Sequence, residues 1–340
     1  MSEILLQYLL FLAKTFTISI AVICVVAGII ITSAKQKTSK NGRLVIENLS
    51  DKIKDQLDET KSVILSKKQY KALLKDQVKE EKKESKTDKT SGAKPKLFVL
   101  NFDGDIKASA VTELQHCLNA ILPVLDKSKD EILLKLESGG GMVHAYGLAA
   151  AQLDRIRQRG IKLTVTIDKV AASGGYMMAC VANKIVAAPF AIVGSIGVVG
   201  QLPNFHKFLE KHSIEFEQHT AGEYKRTLTL FGPNDDKARR KFHEELEVTQ
   251  ELFKKHIQVR RPELDIDSVA TGEHWYGQIA LDKRLVDQLA TSDEIIFDYF
   301  KTHNLYTAKY EQKKSFAEKF TSAAQMMINL LKSNLSVDLR

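Results

Sequence analysis

Cysteine is scarce in this chain, and the three that occur have no useful spacing. Cys24, Cys117 and Cys180 form no C-x-x-C pair, which argues against a zinc site, a redox dithiol or a disulfide framework. Also missing are the G-x-S-x-G nucleophile elbow, the H-E-x-x-H zinc helix and the G-x-G-x-x-G dinucleotide turn. His243-Glu-Glu-Leu-Glu247 lacks the second histidine, and Gly194-Ser-Ile-Gly197-Val-Val-Gly200 matches neither phosphate-binding pattern. No zinc finger or aromatic-interleaved basic strand accompanies the basic charge. No metal, cofactor or nucleic acid is therefore expected.

Charge itself is absent from Thr15 to Ala34, a run of 20 residues. At about 1.5 Å per residue such a helix spans roughly 30 Å, the hydrocarbon thickness of a bilayer. Ile4–Ala13 is also apolar, with Lys14 between the two runs. The long run and the Met-Ser-Glu start favour an uncleaved anchor over a signal peptide, so residues 1–34 are expected to be a transmembrane segment. The whole net charge of +8 sits in residues 35–96, which carry 18 Lys and Arg against 10 Asp and Glu. Following an apolar run, that excess fits an anionic membrane surface. Lys35, Lys37, Lys40 and Arg43 place this flank in the cytoplasm by the positive-inside rule.

Residues 35–78 read as a basic amphipathic extension, one helix or a helical pair, with Leu49, Ile53 and Leu57 at i, i+4, i+8. Residues 79–95 are low-complexity and polar, a disordered linker. Ser91-Gly-Ala-Lys94 inside it matches S-x-x-K, but a structureless tether cannot hold catalytic geometry. From Lys96 the texture is α/β. Strands are expected at Leu97–Phe102, Glu131–Leu136, Lys162–Ile167, Lys184–Ala187, Ala191–Val193 and Ile214–Gln218. Helices are expected at Thr112–Leu125, Val143–Gln158, Tyr176–Val181, Asp235–Val259 and Asp293–Phe300. Their alternation implies a largely parallel sheet. The domain is bounded at 96–305, and 306–340 reads as a C-terminal amphipathic helix with Phe316, Phe320, Ala323, Met327 and Leu331 on one face.

Two glycine-rich turns follow buried strands, Glu137-Ser-Gly-Gly-Gly141 and Ala172-Ser-Gly-Gly175. In a parallel layout both lie at the same edge of the sheet, where sites form. The second presents Ser173 at a helix N-terminus, with the Gly174 N–H aimed at a developing oxyanion. The first can add a donor from Gly140 or Gly141. The plain alternative is that Ser173 only caps the helix and the glycines only make tight turns. None of the nine histidines is tied to these turns by spacing.

The ordered motifs Glu137-Ser-Gly-Gly-Gly-Met-Val143, Ala171-Ala-Ser-Gly-Gly-Tyr176, Gly194-Ser-Ile-Gly197 and Ala221-Gly-Glu-Tyr-Lys-Arg226 resemble the signal peptide peptidase A family of serine proteases. With the N-terminal anchor and basic extension, the chain looks like that family's SohB branch over residues 1–300. Trp275-Tyr-Gly-Gln-Ile-Ala280 and Arg284-Leu-Val-Asp287 resemble the family's ending. The resemblance implies a ClpP/crotonase-like spiral of ββα units and a Ser/Lys dyad of Ser173 and Lys225. It also implies Ser195 as the lysine-orienting residue, and Gly140 and Gly174 as oxyanion donors. Glu137-Ser-Gly139 departs from the family's usual Asp-Ser-Pro. A lysine acts as base only when neutral, which takes burial and no close carboxylate, so Glu223 is expected to point away and Tyr224 to help exclude water. The function implied is a membrane-anchored serine endopeptidase, a ring-like homo-oligomer acting on unfolded or membrane-derived, signal-peptide-like peptides at the bacterial inner membrane. The resemblance suggests a periplasmic catalytic domain, against the positive-inside count; a long domain can translocate despite charge, so the periplasm is preferred. The rivals are a catalytically silent scaffold on the same fold and a crotonase-type acyl-CoA enzyme.

Overall fold

Apolar runs such as Leu97–Leu100 and Ile132–Leu134 can be strands only where both faces are covered. The computed structural model describes residues 7–20, 42–75, 79 and 94–311. It divides into two units, one holding the N-terminal segment to Arg43 together with the chain from Tyr310, the other spanning Leu44–Lys309. In the first unit residues 7–20 form a helix, α1, with exposed side chains.

The second unit opens with β1 (Arg43–Asn48), α2 (Leu49–Ile64) and a further helix α3 over 67–75. The α/β succession is then β2 (Lys96–Gly104), α4 (Val111–Ile121), β3 (Glu131–Ser138), α5 (Val143–Gln158), β4 (Lys162–Ile167), β5 (Val170–Ala172), α6 (Gly174–Ala179), β6 (Lys184–Ala187) and β7 (Ile192–Gly194). It ends with α7 (His206–Lys211), α8 (Asp236–Arg260), α9 (Ile266–Val269), β8 (His274–Tyr276), α10 (Gly277–Asp282), β9 (Gln288–Leu289), α11 (Ser292–Phe300) and β10 (Asn304–Glu311). Among the described residues the strands form one sheet with the path β1-β10-β2-β3-β4-β6-β9, and a branch β5-β7-β8 leaves it at β3. From β10 to β9 every pairing is parallel, as are β3 with β5 and β5 with β7; β7 and β8 are antiparallel.

The two sheet faces are covered differently. Leu97, Val99, Leu133, Val186 and Leu305 meet Ile53 of α2 and Ile295 and Ile296 of α11 in one core. Burying a side chain such as Ile53 contributes about 1.5–3 kcal/mol. On the other face Phe102 meets Tyr146 of α5 edge-to-face at 6.5 Å. The α5 sequence VHAYGLAAAQLDRIRQ is rich in small residues, which lets the helix sit close to β4 and α6.

Most expected elements are found within a few residues, and three differ. Residues 43–48 are a strand rather than part of a helical extension, since Val45 and Ile46 favour β structure and β10 offers an edge. The extension is not independent of the sheet, because Ile53 lies in its core and Ser50 Oγ accepts from the Leu305 N–H at 2.8 Å. Asn304–Glu311 is a strand beside β2, with Leu305 opposite Leu97, so the sheet continues past residue 305 and the amphipathic helix cannot begin at 306. Ile214–Gln218 has no regular structure; its alternation is strand-like, but Ile214 and Phe216 are exposed and no strand among the described residues pairs with it. Of the expected transmembrane run, residues 21–34 lie outside the described residues, as do nearly all of the linker and the helix over 313–335. Among the described residues no helix is long and apolar enough to cross a membrane.

Candidate active site

β3 serves both arms of the sheet. Its Glu131–Lys135 stretch pairs with β4, and its last residue, Ser138, pairs with Ala171 of β5. The chain after β4 thus forms a second short strand before Ser173, where the sequence had suggested only a turn. Ala172 lies opposite Gly194 of β7, and the Ser173 N–H donates to the Gly194 carbonyl at 2.8 Å. Ser173 and Ser195 therefore follow directly on neighbouring parallel strands.

Ser173 has φ 52° and ψ −116°, a conformation rare for a residue with a Cβ. Such strain costs about 1–3 kcal/mol and persists where the surroundings over-determine it. Here the Met177 N–H returns to the Ser173 carbonyl at 2.9 Å while the Ser173 N–H is held by Gly194. The hydroxyl makes no capping bond to α6, so the serine occupies the cap position without doing the work of a cap. Its side chain is half-buried and its Oγ has no hydrogen-bond partner among the described residues.

The turn after β3 lies directly against this serine. Gly140 has φ 89°, and a Cβ there would be 2.7 Å from both Ser173 Cβ and the Gly174 nitrogen. A Cβ on Gly174 would run into the Tyr146 ring, and one on Gly175 would lie 2.6 Å from the Ser138 carbonyl. The Gly174 N–H has no acceptor among the described residues. The Gly140 N–H donates to Ser138 Oγ at 3.1 Å. Ser195, at φ 51°, is held by its N–H to the Glu273 carbonyl at 2.6 Å.

Lys225 is placed differently. It lies in an exposed, irregular segment between α7 and α8, its N–H on the Gly222 carbonyl at 3.2 Å. Its side chain lines an open cavity of about 660 Å³ with Leu202, His219, Arg226 and Phe231. Among the described residues no hydrogen bond joins it to Ser173 or Ser195. Glu223 turns to Lys237 at 2.5 Å, which holds its carboxyl below the usual range. Tyr224 instead packs its ring beneath the ammonium groups of Lys237 and Lys241, at 5.8 and 5.1 Å.

Competing nucleophiles fare poorly. Cys180 at the end of α6 is fully buried, and burial pushes its thiol up to about 12, so it is not a thiolate at neutral pH. His256 of α8 places Nε2 2.9 Å from the Met177 carbonyl, not on Ser173. Ser138 and Tyr146 were not singled out as site residues by sequence reasoning. Tyr146 shows only its place on the buried face of α5, which reads as core.

A strained serine with a free hydroxyl, backed by glycine turns at the ends of parallel strands, is an arrangement able to present a nucleophile. Residues 3–153 match the model of peptidase family S49 N-terminal, and residues 155–327 that of peptidase family S49. The chain belongs to peptidase family S49, and it is a serine peptidase. A probable protease SohB of Haemophilus influenzae is 46% identical over 342 residues, covering 97% of this chain and 96% of the relative. The probable protease SohB of Buchnera aphidicola subsp. Acyrthosiphon pisum is 57% identical over 230 residues, 68% of each chain. Among solved structures, a mutant of the membrane-bound stomatin-specific protease 1510-N in complex with a substrate peptide aligns with a TM-score of 0.42 and 14% identity, over 68% of this chain and 98% of that one.

Proposed function

We propose that this chain is a membrane-anchored serine endopeptidase using Ser173 and Lys225 as a dyad. The observation that carries the reading is the Ser173 backbone, strained to φ 52° with its hydroxyl unengaged and Gly140 pressed against it. In this mechanism Ser173 Oγ attacks the scissile carbonyl carbon while neutral Lys225 Nζ takes the hydroxyl proton. The Gly174 N–H, with a donor from the Gly140 turn, stabilises the oxyanion. Lys225 then gives its proton to the leaving amine, and water hydrolyses the acyl-enzyme by the same route in reverse. Ser195, beside Ser173, orients the lysine.

Assigning Lys225 rests on its place in the Ala221–Arg226 motif. Its exposure in the single chain means that its water must be excluded by whatever covers the surface around Leu202, Phe205, Phe216 and Phe231. Bound peptide and a neighbouring copy in a ring-like homo-oligomer both supply such cover, and the exposed aromatics there suit unfolded or membrane-derived peptides. The successions β4–β5 and β6–β7, each sending one strand to the main path and the next to the branch, support a ClpP/crotonase-like spiral.

Thr15–Ala34 serves as a single-pass anchor, with the basic flank on lipid and the catalytic domain in the periplasm of a bacterial inner membrane. Protease treatment of spheroplasts tests the side, and protection of the catalytic domain until lysis refutes the periplasmic assignment. Labelling by a fluorophosphonate, with and without Ser173→Ala, tests the chemistry. Equal labelling of both proteins overturns the nucleophile.

A further inference from the structure

We propose that Tyr146 and Ser138 are positioning residues that hold the oxyanion side of the Ser173 site from behind, through a directed chain of hydrogen bonds. This rests on the serine-peptidase reading of that site. Tyr146 is fully buried on the first turn of α5, and a buried phenol requires a partner. Its hydroxyl lies 2.8 Å from the Asp105 carbonyl, which can only accept, so the phenolic proton points there. The Tyr146 oxygen is then free to accept, and Ser138 Oγ lies 2.5 Å away as the donor. A longer contact of 3.3 Å from Ser138 Oγ to the Gly104 carbonyl competes weakly for that proton. With its proton spent, Ser138 Oγ accepts the Gly140 N–H at 3.1 Å. The chain therefore runs one way, from the Gly140 N–H through Ser138 and Tyr146 to the Asp105 carbonyl. Burial raises the Tyr146 phenol above its ordinary value, so the order holds at working pH.

The same side chain also touches the other turn. The Tyr146 ring occupies the space where a Gly174 Cβ would go. Gly104 must be bare too, since a Cβ there would lie 2.6 Å from both Ser138 Oγ and Tyr146 Oη. One tyrosine thus sets the Gly174 backbone with its ring and the Gly140 backbone with its hydroxyl. That bond occupies the Gly140 N–H, so the chain fixes the Gly140 turn against Ser173, and the Gly174 N–H, backed by the Tyr146 ring, is the donor left for the developing oxyanion. Positioning of this kind acts on kcat more than on KM.

The test uses the full-length enzyme with Tyr146→Phe, Ser138→Ala and the double variant, each shown folded by thermal denaturation at the assay temperature. Peptide hydrolysis and inhibition by a peptide aldehyde, which forms an oxyanion-like adduct, are measured. Removing an oxyanion donor outright costs about 10²–10³ in kcat, so losing its support is expected to cost about tenfold, with KM within about twofold. Aldehyde affinity should fall in step with kcat/KM, and the double variant should be no worse than the poorer single one, because both act through one chain. Folded variants with unchanged kcat and aldehyde affinity, or losses that simply multiply, overturn the proposal. Should Tyr146→Phe fail to fold, Ser138→Ala decides by the same two readouts. A wild-type enzyme that neither cleaves peptide nor labels at Ser173 overturns the peptidase mechanism instead, which is a separate failure.

Discussion

Ser173 and Ser195 follow the ends of two paired parallel strands, both at positive φ, 52° and 51°. The Ser173 N–H to Gly194 carbonyl bond at 2.8 Å ties the two positions together. Two strained non-glycine residues side by side hold an arrangement that relaxed turns would not. Ser173→Ala and Ser173→Gly are both expected to abolish peptide hydrolysis. They should differ in stability, because alanine keeps the Cβ strain and glycine releases it. Thermal denaturation is expected to place the glycine variant about 1 kcal/mol above the alanine variant, within the range such backbone strain stores. Turnover surviving in either protein sinks the serine mechanism.

Gly140→Ala should be among the most damaging single-atom additions in the chain. The new Cβ meets Ser173 Cβ and the Gly174 nitrogen at 2.7 Å, and the backbone is at φ 89°. We expect a stability loss of about 1–3 kcal/mol together with loss of hydrolysis. By contrast, Gly147→Ala on α5 has open space around its Cβ and should gain roughly 0.5–1 kcal/mol from helix propensity. Denaturant titration of the two variants checks the contrast.

For Lys225 the decisive comparison is among three variants. Lys225→Arg should be nearly inert, since a guanidinium stays protonated and cannot accept the serine proton. Lys225→His is expected to keep a trace of activity, because imidazole is neutral near pH 7 but shorter. Ser195→Ala should be milder than either, as it removes an orienting bond and leaves the base. Near-normal turnover in Lys225→Arg would show that the lysine acts only as a charge.

Acid sensitivity is predicted from the back of the site. Burial lowers the His256 imidazole below its ordinary 6.5, with Arg260 adding to the shift, while the Met177 carbonyl and Asp154 oppose it. His303 is lowered in the same direction, also by burial first. Below 6.5 the unfolded chain therefore binds more protons than the folded one. The stability from these groups is fully present above 6.5 and is lost as pH falls towards the lowered folded values. Melting temperature should drop between pH 7.5 and 5.5, and His256→Gln should flatten part of that slope. An unchanged slope in the variant removes His256 from the account.

Local chemistry made much of the α/β succession legible. The runs at Leu97–Phe102, Glu131–Leu136 and Lys162–Ile167 are apolar enough to be buried strands, and Asp235 caps α8 by accepting from the Ala238 N–H at 2.7 Å, as a helix start requires. The serine turn was legible as well, because glycine after an apolar strand has few other uses. What sequence could not supply is anything decided by distant partners. β10 is a strand because β2 lies beside it, about 200 residues earlier in the chain, while Ile214–Gln218 has a similar pattern and no partner among the described residues. The positive φ of Ser173 and Ser195 comes from paired strands and returning hydrogen bonds, not from serine's own preference. Tyr146 becomes a site residue only once folding brings α5 against Gly174 and Ser138, and Lys225 shows the converse. Its motif marks it out in the chain, yet in the folded single chain its amine faces an open cavity, because excluding water from a lysine takes surrounding surface that a local motif does not contain.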